Sequence, residues 1–452
     1  MAKVNGHASD AEISALNDAK THVARGIGRS SDLIFEKGEG SWVWTVDGHK
    51  IFDLTSGIAV SALGHAHPAV TEAIVKQASK LIHTSVNIAY TRPYLELTTK
   101  LLKVMPDKSL DTVFFWNSGS EAVEAAIKLA RVATKKQNII SYQGSYHGRT
   151  WAAMALTRSK TIYSKGYHPL MPGVYTAPFP YGSQYGCPVP LSEDQLTQAA
   201  LRDLKLLFDQ QTAPTDTAAI IIEPVLGEGG YVPCPPAYLA ALRKICDQHN
   251  ILLIFDEVQT GFGRTGTYFM TEQTGVRPDI LILAKGIANG LPLSAIISRK
   301  ELMDMQEPGT QGGTYSGNAV ACAAGIAVAD VMQEPGFMKN VAARSKQFFD
   351  VLHDLKQSPK TKGIIVDVRG KGLMIGVEFD GPLYPSRDQS KPVPEGLAAK
   401  VQKKCMEKDL YILTTSIFQV IRLIPALIIT EEETTLACKI LSEAIIEVAS
   451  EL

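Results

Sequence analysis

The sequence predicts an α/β protein, with a mostly parallel sheet in a large domain and a smaller α+β domain attached to it. Three observations carry that expectation. Short apolar runs rich in β-branched residues recur between about residues 110 and 285. Amphipathic helical patterns lie between those runs, and after about Val331 the alternation gives way to a different order of elements.

Taken along the chain, the N-terminal segment 1–60 contains an alternating stretch, 42–54, that reads as a hairpin around Asp47-Gly48 and joins the smaller domain. The large domain, 61–330, has strands at Thr112–Trp116, Asn138–Tyr142, 218–222, 251–255 and Ile280–Leu283. Their runs are apolar on both faces, which suits parallel strands buried under helices on either side. Helices are clearest at 121–135, where Ala122, Ala126 and Ala130 recur every fourth residue beside Val123 and Ile127, and at Pro236–His249. In such a fold, ligands sit at the carboxyl ends of the strands. The segment 331–452 reads as a helix, a Gly-punctuated strand region (364–379), a Pro/Ser/Asp-rich loop (382–394), a helix, two short strands and a last helix, whose start Thr430 and Glu433 form a capping box.

Composition narrows the function. With 452 residues, 45% of them hydrophobic, the chain can bury a sizeable core. Lys plus Arg number 45 against 46 Asp plus Glu, and no basic block stands out in the sequence to bind a phosphate backbone, so a nucleic-acid partner is not expected. Cys187, Cys234, Cys246, Cys322, Cys405 and Cys438 show neither CxxC nor metal spacing, and His65 with His67 lacks a third ligand, so no metal is expected. Asp10, Glu12 and Asp18 are unlike a secretory or transit leader, and Glu451 spoils the peroxisomal likeness of the last three residues. The longest apolar run, 319–331, is short and ends at Asp330, which fits a buried helix and not a membrane span. A cytoplasmic protein without membrane attachment is the expectation.

Three strands run directly into ionisable residues: Glu223, the pair Asp256-Glu257, and Lys285. Charges there are costly unless partnered or used. Singly, each reads as a solvated loop residue. Together they match the needs of pyridoxal 5'-phosphate: a lysine to carry it as a Schiff base (Lys285), an acid to keep its ring nitrogen protonated (Asp256), and an anion site for its phosphate. The last is offered by Asn117-Ser118-Gly119-Ser120-Glu121, which follows a strand and opens a helix, so unpaired amides, Gly119 and the Ser120 hydroxyl can cradle an anion. A plain cap from Ser118 to Glu121 explains the same residues, and both can hold at once. The GxGxxG stretch at 261–266 has no following amphipathic helix and is read as a loop beside the cofactor rather than a dinucleotide site.

From about Trp42 to the final helix the chain resembles the class III (omega) aminotransferases of pyridoxal fold type I, most specifically in IFDEVQTGFGRTG, RPDILILAKGIANGLPLSA and GGTYSGNAVACAAG. The resemblance implies that Lys285 is the Schiff-base lysine and Asp256 the ring-nitrogen partner. It implies that Gln259 bonds the ring hydroxyl, that Val258 and Tyr146 pack on opposite ring faces, and that Ser118, Gly119 and Ser120 hold the phosphate, with His147 and Glu223 also at the cofactor. Thr314 would reach the phosphate of a neighbouring subunit, which implies a homodimer with shared active sites.

The same resemblance implies the substrate. Arg149 in YHGRT matches the arginine that takes the distal carboxylate of omega-amino acids in 4-aminobutyrate aminotransferases, and Ile58 fits that type. Arg422 matches the arginine for the α-carboxylate of glutamate or 2-oxoglutarate, and Glu228 its internal partner. A ping-pong transfer from an omega-amino acid, 4-aminobutyrate foremost, to 2-oxoglutarate is expected. A racemase, a dialkylglycine decarboxylase, and a transaminase for ornithine, 5-aminovalerate or another amine are the alternatives. Leu226, where many relatives carry Gln, and the Pro/Tyr-rich stretch 179–191 depart from the pattern.

Overall fold

A computed structural model describes residues 10–186, 191–383 and 395–452; Cys187 and nearly all of the 382–394 loop fall outside the described residues. Five expected strands sit in one seven-stranded sheet, ordered Thr112–Trp116, Ser294–Ser298, Ile280–Leu283, Leu252–Asp256, Thr217–Ile222, Asn138–Tyr142 and Val174–Ala177. Neighbours are parallel, except that Ser294–Ser298 runs antiparallel to both of its partners. That strand and Val174–Ala177 are the two the sequence did not show. Serines at both ends shorten the apolar run of the first to three residues, and the second is mostly half-buried.

Helices close both faces because each presents an apolar stripe. On one face Gly119–Thr134 lays Ala122, Ala126 and Ala130 over Ile221, Ile254, Ile282 and Ile296. The alanines keep backbone and sheet close, while the strand isoleucines supply the buried area, each contributing about 1.5–3 kcal/mol. On the other face Leu97, Leu101, Tyr238 and Leu242 pack against Leu281 and Leu283. Ala319–Met332 is apolar nearly all round and buried. Among the described residues, no helix is long and apolar enough to cross a membrane.

A second core gathers Phe52, Phe348, Leu352, Ile375, Val377, Ile421 and Leu441. Its antiparallel sheet runs Ile365–Lys371, Met374–Phe379, Gln419–Leu423 and Leu413–Thr415. The expected hairpin forms from Trp42–Thr45 and Lys50–Asp53, and the latter pairs in parallel with Leu410–Tyr411, bonding the N-terminal segment to the C-terminal one. The capping box of Glu431–Ser450 is present, and its Glu433 also accepts from Trp42 Nε1 at 2.8 Å.

The glycine loop 261–266 follows Gln259 and sets Phe262 against Gly286, next to Lys285. It has a second role: Arg264, fully buried, donates to the carbonyls of Leu373 (3.1 Å) and Pro425 (2.6 Å), so the loop also fastens the large sheet's core to the second core. The 179–191 stretch also gains a role up to Gly186: Tyr181 donates to Glu378 at 2.7 Å and stacks under Arg369.

Candidate active site

Parallel pairing decides which residues meet. Asp256 is registered against Ile282, so the acid that ends one strand stands beside the strand that delivers Lys285 three residues later. Asp256, Lys285, Glu223, Glu228, Val258, Gln259, Tyr146, His147 and Ser118 through Ser120 line one cavity of about 290 Å³ at the carboxyl ends of the parallel strands.

Asp256 is held from both sides. One carboxylate oxygen accepts from the Val258 amide at 3.0 Å, and the other faces His147 Nδ1 at 2.7 Å. Both residues are buried, which strengthens the pair and fixes the carboxylate's aim. Glu223 accepts from the amides of Tyr146 and Gly227, each at 2.9 Å. Burial pushes its pKa up to about 7, with His147 opposing and Asp256 adding to the rise.

Lys285 sits in the left-handed region at φ 47°, an uncommon conformation for a lysine and the kind of strain that gathers at functional sites. Burial lowers its pKa to about 8, against the pull of Glu228 and with the push of Arg422. Near neutrality it stands within reach of the uncharged, nucleophilic form.

An anion cradle lies opposite. The helix Gly119–Thr134 opens directly behind Val258: a Cβ on Gly119 would lie 3.1 and 3.2 Å from the two Val258 methyls, so a side chain there would push the helix start away. The Ser118 hydroxyl is taken up by Glu121, accepting from its amide (3.3 Å) and donating to its carboxylate (2.9 Å). The cap is therefore real, and it leaves the Gly119 and Ser120 amides and the Ser120 hydroxyl for an anion. Ser120 Oγ accepts from the Arg149 amide at 3.1 Å, which leaves its proton to donate. An anion cradle, a held carboxylate and a lysine of lowered pKa around one cavity fit pyridoxal phosphate.

The substrate-side residues form two groups. Arg422, buried on Gln419–Leu423, pairs through Nη1 with Glu228 Oε1. Burial works against both charges, and mutual attraction outweighs it: Glu228 is held below and Arg422 above its ordinary pKa. The Glu228 carbonyl is fixed by the Ser416 amide and the Thr415 hydroxyl, both at 2.8 Å. Arg149 is exposed, donates from Nε to the Tyr146 hydroxyl at 3.0 Å, and lies 4.6 Å over the Tyr163 ring. Ile58 is exposed at φ 66° in a run of four left-handed residues, 56–59, tied by Ser56 Oγ to the carbonyl of Ile424 at 2.7 Å. Thr314 is exposed on a turn outside the cavity of its own chain.

The aminotransferase class-III family matches residues 24–445. The chain is a class-III aminotransferase. It is 38% identical to the 5-aminovalerate aminotransferase DavT of Pseudomonas aeruginosa, covering 96% of this chain and 99% of the relative. Identity to the 4-aminobutyrate aminotransferase GabT of Escherichia coli is also 38%, over 93% and 95% of the two chains. Among solved structures, an (S)-enantioselective omega-transaminase from Thermomicrobium roseum superposes with a TM-score of 0.86 at 29% identity over 99% of each chain. An amine transaminase from an uncultivated Pseudomonas, in a PLP-bound form, superposes with 0.84 at 28% identity over 94% and 98%. Like its family, this aminotransferase uses pyridoxal phosphate and folds as a fold type I enzyme.

Sequence reasoning did not single out four residues that lie around the Glu228–Arg422 pair and the loop that carries Glu228. Tyr163 and Lys160 follow Arg149 in a stretch without a strand signal; both feel the Glu228 and Arg422 charges, and burial raises the tyrosine's pKa and lowers the lysine's. Tyr231 and Arg369 carry no motif of their own.

Proposed function

We propose that this aminotransferase moves the amino group of an omega-amino acid, 4-aminobutyrate foremost, to 2-oxoglutarate, using one site for two unlike substrates in turn. The observation that carries the reading is the Arg422–Glu228 pair beside Lys285, combined with a second, separately supported guanidinium at Arg149. An α-carboxylate can take Arg422 by displacing Glu228. A substrate with no α-carboxylate leaves the pair closed, so Arg422 is never bare. Arg149 then takes the carboxylate that both substrates share at their far end.

The roles follow from the residues. Ser118, Gly119 and Ser120 hold the phosphate at the helix start, with Thr314 of a second chain added. Val258 and Tyr146 bound the ring, Asp256 keeps a proton at the ring nitrogen, and His147 with Glu223 keeps Asp256 and the 223–228 loop in place. Gln259 addresses the ring hydroxyl. When bound, the cofactor supplies an electron sink for the carbon that loses its proton. Lys285 anchors it, and its amine, once free, shuttles that proton; general acid–base help of this kind contributes about 10² to 10⁴ in rate.

A homodimer accords with the surface around Thr314. Ile82, Ile88, Tyr90 and Tyr315 are exposed, and Tyr315 touches the His83 ring. An apolar patch of that kind marks a contact site. The likeness to DavT supports 5-aminovalerate, one methylene longer, as the second donor. The test is a half-reaction screen: the aldehyde-loaded enzyme is mixed with 4-aminobutyrate, 5-aminovalerate, β-alanine, ornithine and N-acetylornithine while the visible band is followed. Fastest decay with a donor bearing an α-carboxylate would overturn the assignment.

A further inference from the structure

Tyr231 belongs to none of the groups above, yet it stands between two of them. Its side chain is fully buried, and its hydroxyl donates to Gln259 Oε1 at 2.6 Å. Its backbone lies in the left-handed region at φ 57°, where a bulky residue persists only when its surroundings hold it there. The hold is visible: the preceding carbonyl, of Gly230, accepts from Arg369 Nη2 at 2.7 Å and Nε at 2.9 Å, and Arg369 is itself anchored by Glu378 and Tyr181.

The surroundings also settle which way the hydroxyl points. Arg422 and Arg264 are the cationic neighbours of Tyr231, and a guanidinium has only protons to give. The tyrosine's lone pairs therefore serve the arginine side, and its proton goes to Gln259. That in turn settles the amide. With Oε1 committed to Tyr231, the Gln259 Nε2 group is the one left to donate, and it lies on the side of Gly227, where a Cβ would come within 2.9 Å of it. Without the tyrosine proton, either end of the amide could face the cavity, and the wrong end would put an acceptor against another acceptor.

We propose that Tyr231 is a positioning residue that fixes the orientation of the Gln259 amide, so that its NH₂ group faces the ring hydroxyl of bound pyridoxal phosphate. The inference rests on the reading that Gln259 addresses that hydroxyl. A donor at the ring oxygen favours its anionic form and so lowers the pH at which the cofactor-bound lysine nitrogen loses its proton. Loss of that donor raises this pH.

The experiment is a pH titration of the visible band in the holoenzyme for wild type, Tyr231→Phe, Gln259→Leu and the double variant, with thermal unfolding of each alongside. In Tyr231→Phe the midpoint is expected to rise by roughly half a unit to one unit, the equivalent of one neutral hydrogen bond. Gln259→Leu should raise it at least as far, and the double variant should match Gln259→Leu alone, because the two side chains act as one unit. An unmoved midpoint in Gln259→Leu would overturn the reading of Gln259 itself. A midpoint that moves in Gln259→Leu but not in Tyr231→Phe would overturn the tyrosine inference only, even where Tyr231→Phe melts earlier. Additive shifts would overturn it too, as would loss of the band in Tyr231→Phe while Gln259→Leu keeps it.

Discussion

Replacing Glu228 with Ala tests the proposal that one cavity accepts two unlike substrates in turn. Arg422 is 5% exposed, its Nη1 bonds Glu228, and its Nε has no hydrogen-bond partner among the described residues. Removing one member of a buried ion pair costs about 3–5 kcal/mol, because a charge is left uncompensated. The pair opens on the cavity, where Glu228 keeps 12% of its side chain accessible, so water recovers part of this and about 2–3 kcal/mol remains. That amount should appear as lost thermal stability of the holoenzyme. It should also reappear as affinity for a ligand that brings its own carboxylate to Arg422 and no longer has to displace Glu228. At about 1.4 kcal/mol per tenfold, binding of glutamate or 2-oxoglutarate should tighten by roughly 30- to 140-fold. An amine without an α-carboxylate gains nothing and meets a bare guanidinium that repels Lys285, so its half-reaction should slow. The assay is single-turnover decay and return of the visible band with 4-aminobutyrate and with glutamate, plus melting with and without glutarate, an unreactive dicarboxylate. Equal factors in both half-reactions, or a melting point that glutarate does not restore, would refute the reasoning.

The remaining predictions concern three other positions. In the cofactor-free protein, Lys285→Met should be stabilising near pH 7 by about 2 kcal/mol. The fall from 10.5 to about 8 corresponds to about 3 kcal/mol, discounted because the side chain is only partly buried. As the folded state binds fewer protons between pH 8 and 10.5, wild type should gain stability across that window and the advantage of the variant should vanish by its upper end; a difference independent of pH between 7 and 11 would contradict the burial of the ammonium. Arg149→Ala removes the cation held by Tyr146 and Tyr163 and should raise KM for 4-aminobutyrate about 10- to 150-fold, the range of a hydrogen bond between charged groups, with a smaller loss in the glutamate half-reaction. Ile88→Asp, at a residue 82% exposed in the patch near Thr314, should make sedimentation show monomers and weaken cofactor retention; a monomeric protein that keeps its cofactor would remove Thr314 from the phosphate site.

How much of this was legible in the sequence follows from how local each signal is. Strands apolar on both faces announce themselves, so five of seven were readable, and Asp256 and Lys285 could be singled out because together, after such strands, they match what a pyridoxal cofactor needs. Ser294–Ser298 was not readable, because its direction and neighbours are set by partners more than a hundred residues apart, Thr112–Trp116 among them. The pairing of His147 with Asp256 joins residues 109 positions apart, and that of Arg422 with Glu228 joins residues 194 apart. Nothing in either stretch alone signals the other; the second came only through family resemblance. Tyr231 was invisible for a further reason: its importance lies in a hydroxyl direction, which depends on two arginines that arrive from separate elements. The glycine loop's second role, at the seam between two cores, was not readable because glycines mark tight backbone in any context.

The register of Asp256 against Ile282 has an evolutionary corollary. The parts that perform the common chemistry hang from neighbouring strands of one sheet, whose spacing cannot change without disturbing every helix laid across it. Arg422 hangs from a different sheet, and Arg149 and Ile58 from loops. With the roles proposed for these outer positions, a lineage can exchange donors by editing them while the reacting centre stays frozen.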